Sequence, residues 1–140
     1  MIWRTTLLLS LVLLLSGLLR AAPPSPPEDW QIRKPDPTPI KDNPIPPDTS
    51  STMSGYLLYQ RSCLACHGAQ GRGGGSASST MSRRPADITD PRLRKLPDGY
   101  IFNRITNGAA PMPRFEHGFT ETARWHIVNY VRTLQLSLKE

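Results

Sequence analysis

The sequence predicts a small all-α domain that follows a proline-rich segment. Three stretches of the 140-residue chain have helical signals, and few residues alternate between polar and apolar with the period of a strand. Ten of the 15 prolines fall between Pro23 and Pro47, where they exclude a regular helix. We therefore assign residues 1–22 to a signal peptide or N-terminal membrane anchor, residues 23–53 to a proline-rich linker or docking arm, and residues 54–140 to the folded domain.

The N-terminus has the pattern of an export signal. Arg4 precedes an apolar run from Leu7 to Leu19, which is shorter than the roughly 20 residues that a membrane-spanning helix needs. Arg20 follows where a cleavage site would have small residues, so an uncleaved anchor stays open as an alternative. In both cases we expect the domain in the periplasm or at the outer face of the cytoplasmic membrane.

The arm between this run and the domain is expected to be extended and polyproline-like. It carries isolated apolar residues at Trp30, Ile32, Ile40 and Ile45. These side chains pack either on a partner or on the domain itself. An arm that is only a spacer is an equal alternative.

The first predicted helix of the domain runs from Ser54 to Cys66, and Gly68 is a plausible stop just after His67. A glycine-rich loop follows, to about Thr89. A loop of that length is unusual in so small a domain unless it wraps around something, and a cofactor would explain it.

Capping residues mark two further helical regions. Asp90 followed by Pro91 begins one, which continues to Asn107 and Gly108. Thr120 begins the closing helix. An apolar stripe on this helix should pack on the first helix, and its members are Trp125, Val128, Val131 and Leu134.

The two cysteines of the chain stand in a motif for covalent haem attachment. Cys63, Cys66 and His67 form the pattern Cys-x-x-Cys-His, and residues at i, i+3 and i+4 share one face of a helical turn. Both thiols can then add to vinyl groups at one edge of a porphyrin while the imidazole reaches its iron. The sequence therefore predicts one covalent haem c, with its iron, and no catalytic residue.

The same motif has three alternative explanations. A thiol–disulfide pair is expected near a βαβ pattern, which this sequence lacks. A zinc site needs two more ligands, whereas the remaining histidines, His117 and His126, lie far along the chain. A chance match is the third alternative. Haem attachment is preferred to all of them.

Met112 is the best candidate for the second axial ligand. It lies between two prolines in the loop 107–113, which can cross the distal face of a haem. A methionine that only fills a gap in the core is the alternative. His117 and His126 are less favoured as ligands, and His126 is expected to point outward. The other methionines are Met1, Met53 and Met81.

From about Gly55 to Gln135 the chain resembles the monohaem class I cytochromes c. The residues that carry the resemblance are Tyr59, Cys63, Cys66, His67, Gly68, Gly71, Gly73, Asn107, Gly108, Met112, Pro113, Trp125 and Tyr130. It is similar to the monohaem subunits and mobile carriers of bacterial respiratory chains, including those of alternative complex III.

The resemblance implies three main helices around one haem, with Cys63 and Cys66 in thioether linkage, His67 as proximal ligand and Met112 as distal ligand. It also implies that Trp125 packs near the haem. In this family a proline carbonyl after the motif commonly orients the proximal imidazole, and Pro85 is the candidate here. Pro97 departs from the family, because related chains often have a capping residue at that place.

The formal charge of +6 lies on the domain, where residues 55–140 carry 12 basic and 6 acidic side chains. We expect an electron carrier rather than an enzyme. This carrier exchanges single electrons with redox proteins of a respiratory or similar chain, and a membrane complex is one setting for these partners. Arginines are expected to steer acidic partners, namely Arg61, Arg83, Arg84 and Arg114. Neither nucleic acid nor a small-molecule substrate is expected.

Two other functions stay open. A haem-based sensor or enzyme would need a labile sixth ligand, against which the intact Met112 argues. A structural subunit would use its proline-rich arm to organise a redox complex, and its haem would be incidental.

Overall fold

The computed structural model describes residues 38–137, and the regular structure within that range is helical, without strands. The predicted all-α class is confirmed. The helices in chain order are α1 (Thr49–Ser62), α2 (Leu64–His67), α3 (Pro91–Arg94), α4 (Asp98–Asn107) and α5 (Glu121–Ser137), with a 3-10 turn at Ser78–Thr80. No helix of this part of the chain is both long and apolar enough to span a membrane.

Helix α1 begins five residues before the predicted start at Ser54. The prolines end at Pro47, and the side chain of Asp48 then accepts a hydrogen bond from the backbone nitrogen of Ser51 at 2.7 Å, which is a regular N-cap. The predicted single helix to Cys66 is also divided, because Cys63 lies between α1 and α2. Gly68, with φ of 76°, ends α2 as predicted.

Helix α5 packs on α1, as the sequence predicted. The two backbones come so close at Gly55 that a Cβ atom there would overlap the carbonyl oxygen of His126. Beside this crossing the rings of Tyr59 and Tyr130 meet edge to face, with their centroids 5.1 Å apart. The core continues between α4 and α5, where the rings of Phe102 and Trp125 stack at 4.0 Å.

The stripe predicted on α5 faces this core. Trp125, Val128 and Val131 are buried, and Leu134 is half-buried. The cap of the helix is also as predicted, because Thr120 Oγ1 accepts a hydrogen bond from the backbone nitrogen of Ala123 at 3.1 Å.

The region predicted between Asp90 and Asn107 forms two helices instead of one. Asp90 caps α3 by accepting a hydrogen bond from the backbone nitrogen of Arg92 at 2.8 Å. Pro97 then interrupts the helical backbone, since a proline disfavours helical geometry at the residue before it. Helix α4 starts after Pro97 without a side-chain cap and ends at Gly108, whose φ is 65°.

Residues 38–48, which we call the N-terminal strap, lie on the helices rather than away from them. The amide of Asn129 donates hydrogen bonds to the carbonyls of Ile45 and Pro46, at 3.1 and 3.2 Å. Ile45 packs against the core, while Ile40 stays exposed. This part of the predicted arm therefore contacts the domain itself. The predictions for residues 1–22, Trp30 and Ile32 lie outside the described residues.

Candidate functional site

The motif cysteines and histidine lie on the turn that joins α1 to α2. The backbone nitrogens of Cys66 and His67 both donate to the carbonyl of Cys63, at 3.1 and 2.8 Å. Both thiols are free of disulfide bonds. Burial, and secondarily the nearby Cys66, raise the pKa of the Cys63 thiol to about 12, so this thiol is protonated at neutral pH.

A backbone carbonyl fixes the protonation of the His67 ring. Nδ1 of the half-buried imidazole lies 3.1 Å from the carbonyl oxygen of Ala86. Because a carbonyl can only accept, Nδ1 must carry the proton, and the lone pair of Nε2 is left for a metal. Burial lowers the pKa of His67, which favours the neutral ring that a ligand requires, although the bond to Ala86 opposes this shift.

The carbonyl that meets His67 belongs to Ala86 and not to Pro85, so the expectation for Pro85 is wrong. The carbonyl oxygen of Pro85 instead lies against Gly73, where a Cβ atom would overlap it. Gly73 has φ of 73°, and its nitrogen donates to the carbonyl of His67 at 2.9 Å. This close packing turns the next carbonyl, that of Ala86, toward the ring.

Met112 lies in a tight turn that follows α4. Its backbone nitrogen and carbonyl both pair with Ala109, at 2.8 and 3.0 Å. Gly108 permits this turn, since a side chain there would collide with the carbonyls of Met112 and Pro113. The Met112 side chain is half-buried and packs against the hydrophobic core.

The other candidates for a ligand are placed differently. Met53 is 55% exposed on α1, and the side chain of His117 is 94% exposed. Met81 is half-buried in the loop after α2. His126 does not point outward as predicted, because its Nδ1 is hydrogen-bonded to Ser51 Oγ at 2.8 Å between α1 and α5.

The arginines predicted to steer partners differ in exposure. Arg61 and Arg84 are exposed, and Arg83 is half-buried. Arg114 is exposed and forms an ion pair with Glu116 at 3.2 Å.

Besides Asn129, two polar residues that were not predicted from the sequence lie on the buried face of α5. Arg124 donates to the carbonyls of Glu116 and Phe119, at 2.9 and 2.7 Å, and thereby holds the loop after Met112. Gln135 donates to the carbonyl of Ile88 at 2.7 Å. Both residues stand four positions from a member of the apolar stripe, and this spacing was the signal that could have found them.

The chemistry of these groups fits a covalent haem. The motif supplies two unpaired thiols for thioether bonds and an imidazole whose Nε2 is held free for iron. The indole Nε1 of Trp125 is buried and makes no hydrogen bond of normal geometry within residues 38–137, although the exposed Glu121 carboxylate lies near it. An unpaired buried donor of this kind is one that a carboxylate of the porphyrin could satisfy.

Both a family model and a solved structure match this chain. The family model described as "Cytochrome C oxidase, cbb3-type, subunit III" matches residues 50–131. The solved structure of the reducing HAO-like protein complex of Kuenenia stuttgartiensis is similar over 76% of this chain, with 26% identity and a TM-score of 0.62. This chain spans 54% of that one, or about half its length. No curated protein matches the chain.

The family match covers more than half of the chain and includes both motif cysteines, His67 and Met112. The similar solved structure belongs to a redox protein complex. The chain therefore belongs to the cytochrome family described as cytochrome c oxidase, cbb3-type, subunit III, and it is a monohaem class I c-type cytochrome that binds haem c covalently.

Proposed function

We propose that this cytochrome carries one electron at a time between redox proteins, on a haem held by thioether bonds to Cys63 and Cys66 and ligated by His67 and Met112. The observation that carries the proposal is the contact between His67 Nδ1 and the carbonyl of Ala86. It fixes the one tautomer in which Nε2 can ligate iron, immediately beside the two free thiols.

The surroundings of Met112 support its role as the distal ligand. Its turn is closed by two backbone hydrogen bonds to Ala109, and the loop that follows is held by Arg124. A thioether on a fixed backbone can stay bound in both oxidation states of the iron. Met53 and His117 are exposed, and His126 is bonded to Ser51, so these residues are poorer candidates.

When bound, the haem supplies an iron that gains and loses one electron, and methionine ligation raises its potential. The chain contributes permanent attachment through Cys63 and Cys66. His67 and Met112 would each supply a ligand to the iron, so that no small-molecule substrate would need to bind the metal. A non-enzymatic carrier, or an electron-transfer subunit of an oxidoreductase complex, is the role that follows.

The partners we propose have acidic docking surfaces. The chain has a formal charge of +6, and the exposed arginines Arg61, Arg84 and Arg114 contribute to it. Opposite charges on a partner would increase the association rate, most strongly at low ionic strength.

The setting we propose is a respiratory or similar chain at the outer face of the cytoplasmic membrane or in the periplasm. It rests on the export pattern between Arg4 and Leu19. The similar solved structure is itself part of a redox protein complex, which supports a role beside other redox proteins.

Absorption spectra of the haem-loaded full chain test the proposed ligation. Ferric methionine ligation should give a weak band at about 700 nm, and Met112→Ala should abolish it. Met53→Ala and Met81→Ala are matched controls that should keep the band. A wild-type protein that lacks the band and binds carbon monoxide readily when reduced would contradict the proposal, and a haem-based sensor or enzyme would replace it.

A further inference from the structure

A buried amide on α5 connects this helix to the loop that orients the His67 ring. Gln135 is 2% exposed, and its Nε2 donates to the carbonyl oxygen of Ile88 at 2.7 Å. Ile88 stands two residues after Ala86, whose carbonyl accepts from His67 Nδ1. We propose that Gln135 is a positioning residue for His67, acting through Ile88 and Ala86. The inference rests on the proposed ligation of haem by His67.

Ile88 is anchored on both sides, so Gln135 can control the backbone near Ala86. The nitrogen of Ile88 donates to the carbonyl of Gly71 at 2.8 Å, and its carbonyl accepts from Gln135. Next to it, Asp87 Oδ1 accepts from the backbone nitrogen of Thr89 at 2.8 Å. The segment is thus held by bonds within its own loop and by the bond from Gln135 on a distant helix. Loss of the bond to the helix removes one of these restraints and gives the backbone that carries the Ala86 carbonyl more freedom to move.

The orientation of the Gln135 amide is itself determined by its neighbours. Arg132 Nη1 donates to Gln135 Oε1 at 2.8 Å, so the oxygen must face Arg132 and the nitrogen must face Ile88. Arg132 is fixed in turn by an ion pair with Asp98 at 2.7 Å. A connected set of polar contacts therefore runs from the first turn of α4 to the carbonyl of Ile88, two residues after Ala86.

The position of the Ala86 carbonyl matters for the electron affinity of the metal. A hydrogen bond accepted from Nδ1–H makes an imidazole ligand more basic, which stabilises ferric over ferrous iron. If this bond weakens, ferrous iron becomes more stable relative to ferric iron, and the midpoint potential of the haem rises. The exchange of the Nδ1 proton with solvent also becomes faster, because the bond opens more often.

The test compares Gln135→Leu with Asn129→Leu in the haem-loaded full chain. Both residues are buried amides on α5, and each is 2% exposed and donates to backbone carbonyls. Asn129 contacts the N-terminal strap and Ser51, which lie outside the loop that carries Ala86. Its replacement therefore removes a comparable buried amide and lowers stability without touching that loop. The two readouts are the exchange rate of the His67 Nδ1 proton in the ferrous protein, measured by NMR, and the midpoint potential.

For Gln135→Leu we expect proton exchange about tenfold faster than in the wild type. The ferric–ferrous equilibrium should shift about threefold toward ferrous, a rise of about 28 mV at 59 mV per tenfold change for one electron. Asn129→Leu should change neither value appreciably. Gln135→Glu keeps the contact with Arg132 but cannot donate to Ile88 when ionised. Exchange of the His67 Nδ1 proton should therefore be faster in this variant too. This variant serves if Gln135→Leu does not retain haem.

The outcomes separate the two proposals. If the wild-type ferrous protein shows no His67 ring signals shifted by haem, the proposed ligation fails and this inference fails with it. If those signals are present but the Gln135 variants match Asn129→Leu in exchange rate and potential, only the role of Gln135 is overturned.

Discussion

Polar side chains on the buried face of α5 connect this helix to three non-helical segments of the domain. Arg124, Asn129 and Gln135 are all at most 7% exposed, and each donates to backbone carbonyls. Arg124 holds the loop after Met112, Asn129 holds the N-terminal strap, and Gln135 holds the loop after the motif. Buried donors of this kind are costly when unpaired, so they specify where each loop lies.

Arg124 is the residue whose replacement should most disturb the loop after Met112. Its Nη1 donates to three carbonyls of that loop, and its guanidinium lies 5.1 Å from the centre of the Phe102 ring. We expect Arg124→Met to lower the free energy of unfolding by about 2 kcal/mol, because lost charged hydrogen bonds outweigh the relief of desolvation. Urea unfolding of the haem-loaded protein, followed by haem absorption, measures this change.

Arg114 provides the matched control for Arg124. It is a second arginine near the same loop, but its side chain is 67% exposed and forms an ion pair with Glu116. We expect Arg114→Met to change the free energy of unfolding by less than about 1 kcal/mol. Equal losses for the two variants would show that the carbonyl contacts of Arg124 contribute nothing.

Single residues also show how far the sequence could predict the site. Cys63, Cys66 and His67 follow from the motif alone, since the chemistry depends on their spacing within one turn. The partner of His67 does not follow, because the choice between Pro85 and Ala86 depends on how Gly73 packs against that loop. His126 was misplaced for a similar reason. Its partner Ser51 is 75 residues away in the sequence.

At the scale of helices, the crossing of α1 and α5 depends on the missing side chain of Gly55. A Cβ atom there would overlap the backbone of His126, which cannot move without shifting α5. We expect Gly55→Ala to lower the free energy of unfolding by about 3 kcal/mol. Chemical denaturation of the haem-loaded variants measures it.

Gly74 supplies the comparison for Gly55. It is exposed, and an added Cβ atom would have no atom within 4 Å. We expect Gly74→Ala to change the free energy of unfolding by no more than about 1 kcal/mol. A tolerated alanine at Gly55 would mean that the two helices do not approach as closely as described.

The cap of α3 should make stability depend on pH. The Arg92 side chain, through its hydrogen bond, holds the pKa of Asp90 below its ordinary value, which is about 3.9 in an unfolded chain. Asp90 therefore stabilises the fold above that pH, and the contribution is lost as the pH falls through 3.9 toward the lower folded value. We expect Asp90→Asn to reduce the fall in unfolding free energy between about pH 5 and pH 3.

The cap and the charge of Asp90 can be separated by two variants. Asparagine still accepts from the backbone nitrogen of Arg92, whereas alanine cannot, so Asp90→Ala should lose about 1 kcal/mol more at neutral pH. Unfolding curves of both variants, recorded at neutral pH and between about pH 5 and pH 3, separate the effect of the cap from that of the charge. An unchanged pH dependence in Asp90→Asn would contradict the assigned shift in pKa.

The helices illustrate which boundaries a sequence can predict. Local capping signals placed Asp90, Gly108 and Thr120 correctly, because each acts within its own turn. The start of α1 was missed because the proline-rich composition was extended past Pro47, although Asp48 is itself a good cap. The break at Cys63 has no sequence signal that we recognise.

At the scale of the whole domain, the N-terminal strap joins helices that are distant in sequence. Asn103 donates to the carbonyls of Thr38 and Pro39, at 3.2 and 3.3 Å, while Asn129 accepts from Asn43 at 2.7 Å. Within the described residues, the prolines correctly predicted that the chain from Thr38 to Pro47 forms no regular helix. They could not predict that buried amides more than 60 residues away would hold the extended chain in place.

Because the strap satisfies these amides, its replacement should destabilise the domain itself. A Gly/Ser segment of equal length in place of residues 38–47 would leave the amides of Asn103 and Asn129 without those partners and remove Ile45 from the core. We expect the free energy of unfolding to fall by about 3–5 kcal/mol. The wild-type chain is the reference. An unfolding curve unchanged by the replacement would show that the strap is only a spacer.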